Sequence, residues 1–132
     1  MPESAPKMVL VVDDDLDFLD FVTIVLESDG YTVRTATNAD AGLELMQAER
    51  PDLVIVDVMM SYELNGWSVS RQMSADPLLR QVPVLMVSAI VNESDEGVFP
   101  RNGHARLDGF MRKPIDPSTL LRRVAELTGA DA

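Results

Sequence analysis

The sequence predicts an α/β protein with a doubly wound parallel sheet and helices on both of its faces. Short apolar runs of the kind found in fully buried strands alternate along the chain with segments whose apolar residues recur at helical spacing. Glycine, proline and asparagine residues separate these segments and mark turns and helix ends. Because strands and helices alternate, the strands are expected to be parallel and joined by right-handed crossovers.

Five strands are predicted, each from a short run bounded by turn or cap residues. The third run contains the most apolar residues of the five. The runs are MVLVV (8–12), YTVRTA (31–36), LVIVDVMM (53–60), VPVLMVSA (82–89) and GFMRKP (109–114).

Four amphipathic helices are expected to connect and follow these strands. The first covers residues 16–28 and ends before Gly30, and the second is capped by Asn38. The third follows Gly66, and the last opens at Asp116 with a proline at its first position. The apolar residues expected on one face are Leu19, Val22, Val25 and Leu26 in the first helix, Ala41, Leu45 and Ala48 in the second, Val69 and Met73 in the third, and Leu120, Leu121, Val124 and Leu127 in the last.

The bulk composition limits the classes of protein to which the chain can belong. With 132 residues, 46% hydrophobic and 25% charged, the chain is expected to form one globular domain. A formal net charge of -11 argues against a nucleic-acid surface, and the absence of cysteine excludes disulfides and thiolate metal sites. No apolar run approaches the roughly 20 residues of a membrane span and no secretory signal is present, so a cytoplasmic protein is expected.

Acidic and polar residues stand at the carboxyl ends of the predicted strands. Asp13 and Asp14 follow the first strand, Asp57 lies on the third, Ser88 ends the fourth and Lys113 follows the fifth. Ligands of such sheets bind beyond the carboxyl ends of the strands, so these side chains are expected to meet at one rim. Clustered carboxylates need a cation, and oxygen ligands favour a hard ion such as Mg²⁺. An ammonium and a hydroxyl suit phosphoryl oxygens, so the rim is expected to place a phosphoryl group on an aspartate.

Four motifs in the right order make the chain resemble the receiver domains of two-component response regulators. The motifs are VLVVDDD, LVIVDVMM, VPVLMVSA and GFMRKP, at the ends of the first, third, fourth and fifth predicted strands. The resemblance runs from about residue 7 to 127 and implies a flavodoxin-like sheet of strand order 2-1-3-4-5. It also implies a receiver domain at 7–128 between tails at 1–6 and 129–132, with no output domain.

The resemblance implies a role for each residue of the rim. Asp57 is expected to accept the phosphoryl group, Asp14 to bind Mg²⁺ or Mn²⁺ directly and Asp13 to bind it mainly through water. Ser88 and Lys113 are expected to hold the phosphoryl oxygens. Three further groups are implied, namely the backbone carbonyl of Met59 as a metal ligand, the backbone amide of Ala89 on the phosphoryl oxygens, and the side chain of Phe110, with Ser88, as the conformational switch.

The resemblance also implies partners and a phosphoryl lifetime. The expected phosphodonor is a histidine kinase or a histidine phosphotransfer protein, and a downstream protein of unknown identity is expected to bind the phosphorylated face. The domain is expected to be a monomer or weak dimer, and no enzyme beyond its own phosphorylation and dephosphorylation. Met59 and Ile90 occupy the two positions where polar groups speed hydrolysis in the family, and both are apolar. Slow autodephosphorylation is therefore predicted.

The segment between the fourth and fifth predicted strands departs from the family pattern. The family has its fourth helix there, but Gly97, Pro100 and Gly103 interrupt this stretch and leave no apolar stripe. The sequence therefore predicts that the family's fourth helix is short or replaced by an irregular connection, with at most one turn near Asn92. Such a change would reshape the signalling face.

The same residues argue against two other functions and leave one alternative open. Asp13, Asp15 and Asp17 mimic the start of a calcium loop, but Phe18 and Ile24 replace the glycine and glutamate that the loop needs. A phosphatase of the haloacid dehalogenase type is disfavoured because Asp17 stands where Thr or Val is needed and no late acidic pair follows. Asp15 and Asp17 are interpreted as helix-start acids. A constitutive interaction module with a receiver fold stays open as an alternative.

Overall fold

A computed structural model describes residues 7–57, 66–88 and 109–129 of the chain. The strands in these ranges are β1 (Met8–Val12), β2 (Thr32–Ala36), β3 (Leu53–Asp57), β4 (Val84–Ser88) and β5 (Gly109–Arg112). The helices are α1 (Leu16–Ser28), α2 (Ala39–Ala48), α3 (Gly66–Ala75) and α4 (Pro117–Thr128). No helix in these three ranges is long and apolar enough to span a membrane.

The strands form one parallel sheet in the order β2-β1-β3-β4-β5, which confirms the predicted architecture. The first strand pairs with both the second and the third, so the direction of winding reverses at β1. In the register of this pair Val12 lies opposite Val56, which brings the carboxyl ends of β1 and β3 side by side. A ligand site is expected at such a reversal point.

Helices cover both faces of the sheet, as predicted. Every residue of β1, β3 and β4 is buried, because each central strand sends alternate side chains into two separate cores. Val9 and Val11 of β1 face the core formed with α1 and α4, whereas Leu10 and Val12 face the core formed with α2 and α3. The helical residues buried in these cores are Phe18, Leu19, Val22, Leu26, Leu120 and Val124 on the first face, and Ala39, Leu43, Met46, Val69 and Met73 on the second.

The first helix begins and ends at the predicted residues. Asp15 is its N-cap, and the Asp15 carboxylate accepts hydrogen bonds from the amides of Asp17 and Phe18. The interpretation of Asp15 as a helix-start acid is therefore confirmed. The helix ends where Gly30 adopts a φ of 93°, a left-handed conformation that favours glycine.

The predicted face of the second helix was wrong for Leu45 and Ala48. The helix buries Ala39, Gly42, Leu43 and Met46, whereas Leu45 is 37% exposed and Ala48 is also exposed. Ala41 is partly buried against the same core. The reason is a close approach to the sheet: a Cβ atom on Gly42 would lie 2.8 Å from Cγ2 of Val12. The face that carries this glycine is the one that can lie flat against β1.

Asn38 caps the second helix, and Asn38→Ala should lower the free energy of unfolding by about 1 kcal/mol. The side-chain oxygen Oδ1 of Asn38 accepts a hydrogen bond of 2.8 Å from the amide of Ala41, and an alanine side chain has no acceptor to replace it. Urea denaturation measures the change. Asn38→Asp retains an acceptor at the same position, so an equal loss in that variant would show that the cap is not the cause.

The predicted departure from the family pattern lies outside the described residues. It is the segment at 89–108, where the family's fourth helix is expected to be short or replaced by an irregular connection, and it stays a prediction.

Candidate functional site

Three carboxylates meet at the carboxyl ends of β1 and β3. Asp13 and Asp14 follow β1 and Asp57 ends β3, and one oxygen of each lies within 4.8 Å of the other two. The side chain of Asp13 is fully buried, Asp57 is 7% exposed, and Asp14 is exposed to solvent. The sheet therefore brings together the acidic residues that the sequence placed at one rim.

Lys113, which directly follows β5, supplies a positive charge to this acidic cluster. Its Nζ atom lies 2.7 Å from Oδ2 of Asp13 and 3.6 Å from Oδ2 of Asp57. The backbone amide of Lys113 donates a hydrogen bond of 2.8 Å to the carbonyl of Ser88, which fixes the end of β5 against the end of β4. Lys113 is thus held at both ends, through its backbone amide by Ser88 and through its ammonium by Asp13.

Burial and charge together shift the pKa values of the central ion pair. Burial raises the pKa of Asp13 above its ordinary value of 3.8, although hydrogen bonds from Lys113 and the Asp15 amide act in the opposite direction. Burial also lowers the pKa of Lys113, but its hydrogen bond to Asp13 and the charge of Asp57 outweigh this effect. The pKa of Lys113 is therefore raised above 10.5. The ammonium therefore stays charged at neutral pH. Ionisation of the buried Asp13 carboxylate costs free energy, and a further cation nearby would reduce this cost.

Ser88 lies at the end of the neighbouring strand and is fully buried. Asp57 pairs with Val87 in the sheet register, so Ser88 extends one residue beyond the position opposite Asp57. The structure thus gathers Asp13, Asp14, Asp57 and Lys113 into direct proximity and places Ser88 on the adjacent strand end. The backbone groups of Met59 and Ala89 and the side chains of Ile90 and Phe110 lie outside the described residues and groups.

Sequence reasoning missed one neighbour of the site, the ring of Phe18. The Lys113 Nζ atom lies over this ring, 4.3 Å from its centroid. Phe18 is the third residue of α1 and its amide is one of the two bound by the Asp15 cap. The sequence does place an aromatic residue directly after the acidic segment. Nothing near Phe18 in the sequence, however, indicates that Lys113 contacts its ring.

The chain belongs to the family of response regulator receiver domains, whose sequence pattern it matches over residues 9–125. Protein PilH of Pseudomonas aeruginosa is 34% identical over 116 residues, which cover 88% of this chain and 93% of PilH. Chemotaxis protein CheY4 of Vibrio cholerae has a solved structure with a TM-score of 0.81, 26% identity and coverage of 93% and 99% of the two chains. A CheY-like receiver domain protein of Methanospirillum hungatei also has a TM-score of 0.81, with 26% identity and 95% coverage of each chain. The resemblance and the fold inferred from the motifs are confirmed.

Proposed function

We propose that this receiver domain is a phosphorylation-dependent switch that accepts a phosphoryl group on Asp57. The observation that carries the proposal is that Asp57 lies close both to the carboxylates of Asp13 and Asp14 and to the ammonium of Lys113. A nearly buried carboxylate with one positive group 3.6 Å away has a nucleophilic oxygen and a neighbour that attracts phosphoryl oxygens.

The proposed reaction is an in-line transfer from a phosphohistidine of a kinase or phosphotransfer protein. A carboxylate oxygen of Asp57 forms a bond to phosphorus while the bond from phosphorus to the imidazole nitrogen breaks. The electron pair of that bond stays on the nitrogen, and the imidazole takes up a proton from solvent. The Lys113 ammonium faces the phosphoryl oxygens as they arrive and offsets the added negative charge.

The acidic cluster suits a hard divalent cation, Mg²⁺ or Mn²⁺. All three side chains that approach within 4.8 Å offer carboxylate oxygens, the ligands that Mg²⁺ prefers. Burial raises the pKa of Asp13 even though Lys113 donates a hydrogen bond to it, and this supports a further cation beside the cluster. Asp13, Asp14 and Asp57 would hold the ion, which would supply positive charge to the phosphoryl oxygens.

Removing the exposed carboxylate of the cluster should weaken metal binding. Asp14→Asn is expected to raise the Mg²⁺ dissociation constant by at least about tenfold. Loss of a residue that only orients a metal ligand already weakens binding by about this factor, and loss of a ligand itself should weaken it at least as much. The measurement is the Mg²⁺-dependent rise in unfolding temperature, titrated to saturation. Asp17→Asn removes the same charge from an exposed position outside the cluster. Equal weakening in both variants would indicate general electrostatics and contradict a site.

Asp57→Asn tests the phosphorylation itself. After incubation with acetyl phosphate and Mg²⁺, intact mass measurement should show one added phosphoryl group on the parent protein and on Asp17→Asn, but none on Asp57→Asn. A matching adduct on Asp57→Asn would place the reaction elsewhere. No adduct on the parent from either acetyl phosphate or a phosphorylated kinase would favour the constitutive interaction module instead.

The signal produced by phosphorylation would be read by a partner protein. The added charge at the rim would draw Ser88 toward the phosphoryl group, and Phe110 would then fill the space that Ser88 leaves. These movements would favour an active conformation that already exists in the population. The domain would perform no chemistry other than gaining and losing this group. Met59 and Ile90 are apolar at the two sequence positions where polar groups speed hydrolysis in the family, so hydrolysis of the acyl phosphate would be slow. The decay of the adduct in the same mass measurement reports this lifetime.

A further inference from the structure

The Lys113 ammonium is close to both the acidic cluster and an aromatic ring. Oδ2 of Asp13 lies 2.7 Å from Nζ and Oδ2 of Asp57 lies 3.6 Å from it. The ring of Phe18 is also near, with its centroid 4.3 Å from Nζ. We infer that Phe18 is a positioning residue, whose ring face holds the ammonium beside Asp57. For its effect on phosphorylation, this inference rests on the proposed function.

The face of an aromatic ring can attract the ammonium without adding a negative charge, which a further carboxylate could not do. A lysine side chain is flexible, and three neighbouring carboxylates offer its ammonium several competing partners. The ring attracts a cation through its quadrupole at distances up to about 6 Å without adding net charge. Phe18 thus restricts the ammonium without accepting a hydrogen bond from it, so the donors that do not bind Asp13 stay available to an incoming anion. The ring also does not compete with a phosphoryl group as an acceptor.

The acidic segment holds the backbone of Phe18 at the start of α1. Oδ1 of Asp13 accepts a hydrogen bond of 2.9 Å from the amide of Asp15, and Oδ1 of Asp15 accepts one of 3.3 Å from the amide of Phe18. The ring then contacts Lys113, whose ammonium returns to the second oxygen of Asp13. These contacts form a closed circuit of four residues. Because of it, the start of α1 and the ammonium cannot move independently.

Phe18 is well placed to act as a fixed support. Its side chain is 8% exposed and belongs to the core on the α1 and α4 face of the sheet. The ring of Phe21 packs near it, with centroids 6.3 Å apart at an angle of 37°. In the described part of the chain the ammonium stacks on Phe18 alone. Phe21 therefore offers a matched aromatic position on the same helix for a control.

The test compares three variants, Phe18→Leu, a ring-fluorinated phenylalanine at position 18, and Phe21→Leu. The fluorinated ring keeps the shape of Phe18 but loses the negative face that attracts a cation. We expect Phe18→Leu and the fluorinated variant to slow phosphorylation by acetyl phosphate at saturating Mg²⁺ by about threefold to tenfold. Phe21→Leu should stay within about twofold of the parent, as expected of a residue without contact to the ammonium.

A second readout follows the lysine directly by NMR. In the parent the ε-methylene protons of Lys113 should be shifted upfield by the ring, and Phe18→Leu should abolish this shift. Normal phosphorylation in the fluorinated variant would reduce Phe18 to a packing residue and overturn the inference, as would an unshifted lysine signal in the parent. Failure of the parent to gain a phosphoryl group would overturn the proposed function, and the NMR comparison would still decide whether the ring holds the ammonium.

Discussion

Replacing Lys113 with methionine should lower the free energy of unfolding by about 2–3 kcal/mol at neutral pH without Mg²⁺. Asp13 is fully buried, and the Lys113 ammonium at 2.7 Å is its charged partner. Removing one partner of a buried pair leaves an uncompensated charge in a poorly hydrated site. The Lys113 side chain is 18% exposed, so solvent screens the pair and the expected loss lies below that of a fully buried pair.

The loss in Lys113→Met should depend on pH in a defined direction. The pKa of Asp13 in the folded protein is above 3.8, so this group contributes stability that is present below 3.8 and lost as the pH rises through the folded value. Methionine removes a hydrogen bond that lowers this pKa and therefore shifts it further upward. The difference in free energy of unfolding between the variant and the parent should therefore be small near pH 4 and should grow toward neutral pH.

Urea denaturation in EDTA across this pH range measures the effect. Arg123→Met is the matched control, because it removes a cation whose pair with Glu126, at 4.0 Å, is about half exposed. Such a surface pair contributes little to stability. Equal losses in the two variants, or a Lys113→Met loss that does not change with pH, would contradict the assignment of Lys113 as the partner of a buried carboxylate.

Gly42→Ala should lower the free energy of unfolding by about 1–2 kcal/mol, although alanine is the better helix former. The added Cβ atom would meet Cγ2 of Val12 at 2.8 Å and Cγ1 at 3.3 Å. Val12 is fully buried in β1, and a β-branched side chain has little rotamer freedom with which to move away. The cost of overpacking therefore exceeds the gain in helix propensity, which is about 1 kcal/mol.

A double-mutant cycle isolates this contact. Val12→Ala removes both methyl groups that the new Cβ atom would meet, so Gly42→Ala in that background should be neutral or stabilising. Urea denaturation of the parent, the two single variants and the double variant gives the coupling free energy between residues 12 and 42. The same loss in both backgrounds would show that Gly42 is needed for a reason other than its distance from Val12.

Features set by local chemistry could be predicted from the sequence. Caps at Asn38 and Asp116 form with neighbouring amides, so their positions can be predicted from a few residues. The acidic rim followed from a general rule on parallel sheets, applied to the strand ends that carry Asp13 and Asp57. Neither prediction required knowledge of how distant segments pack.

Features set by distant contacts could not be predicted in the same way. The buried face of α2 depends on how closely Gly42 approaches Val12, whereas alanine and leucine occur on several sides of that helix. Lys113 was assigned to phosphoryl oxygens, but its contact with the ring of Phe18 depends on the docking of β5 beside the start of α1. A pattern of residue types does not contain these distances.

The ion pair between Lys113 and Asp13 joins residues that are 100 positions apart. During synthesis, Asp13, Asp14 and Asp57 all leave the ribosome well before the lysine that compensates them. An intermediate composed of β1, β2 and β3 would therefore carry the repulsion of three carboxylates without that cation. Contacts between residues so far apart in sequence form slowly, and the docking of β5 brings the lysine that relieves the repulsion. Docking of β5 thus completes both the described sheet and the charge balance of the site.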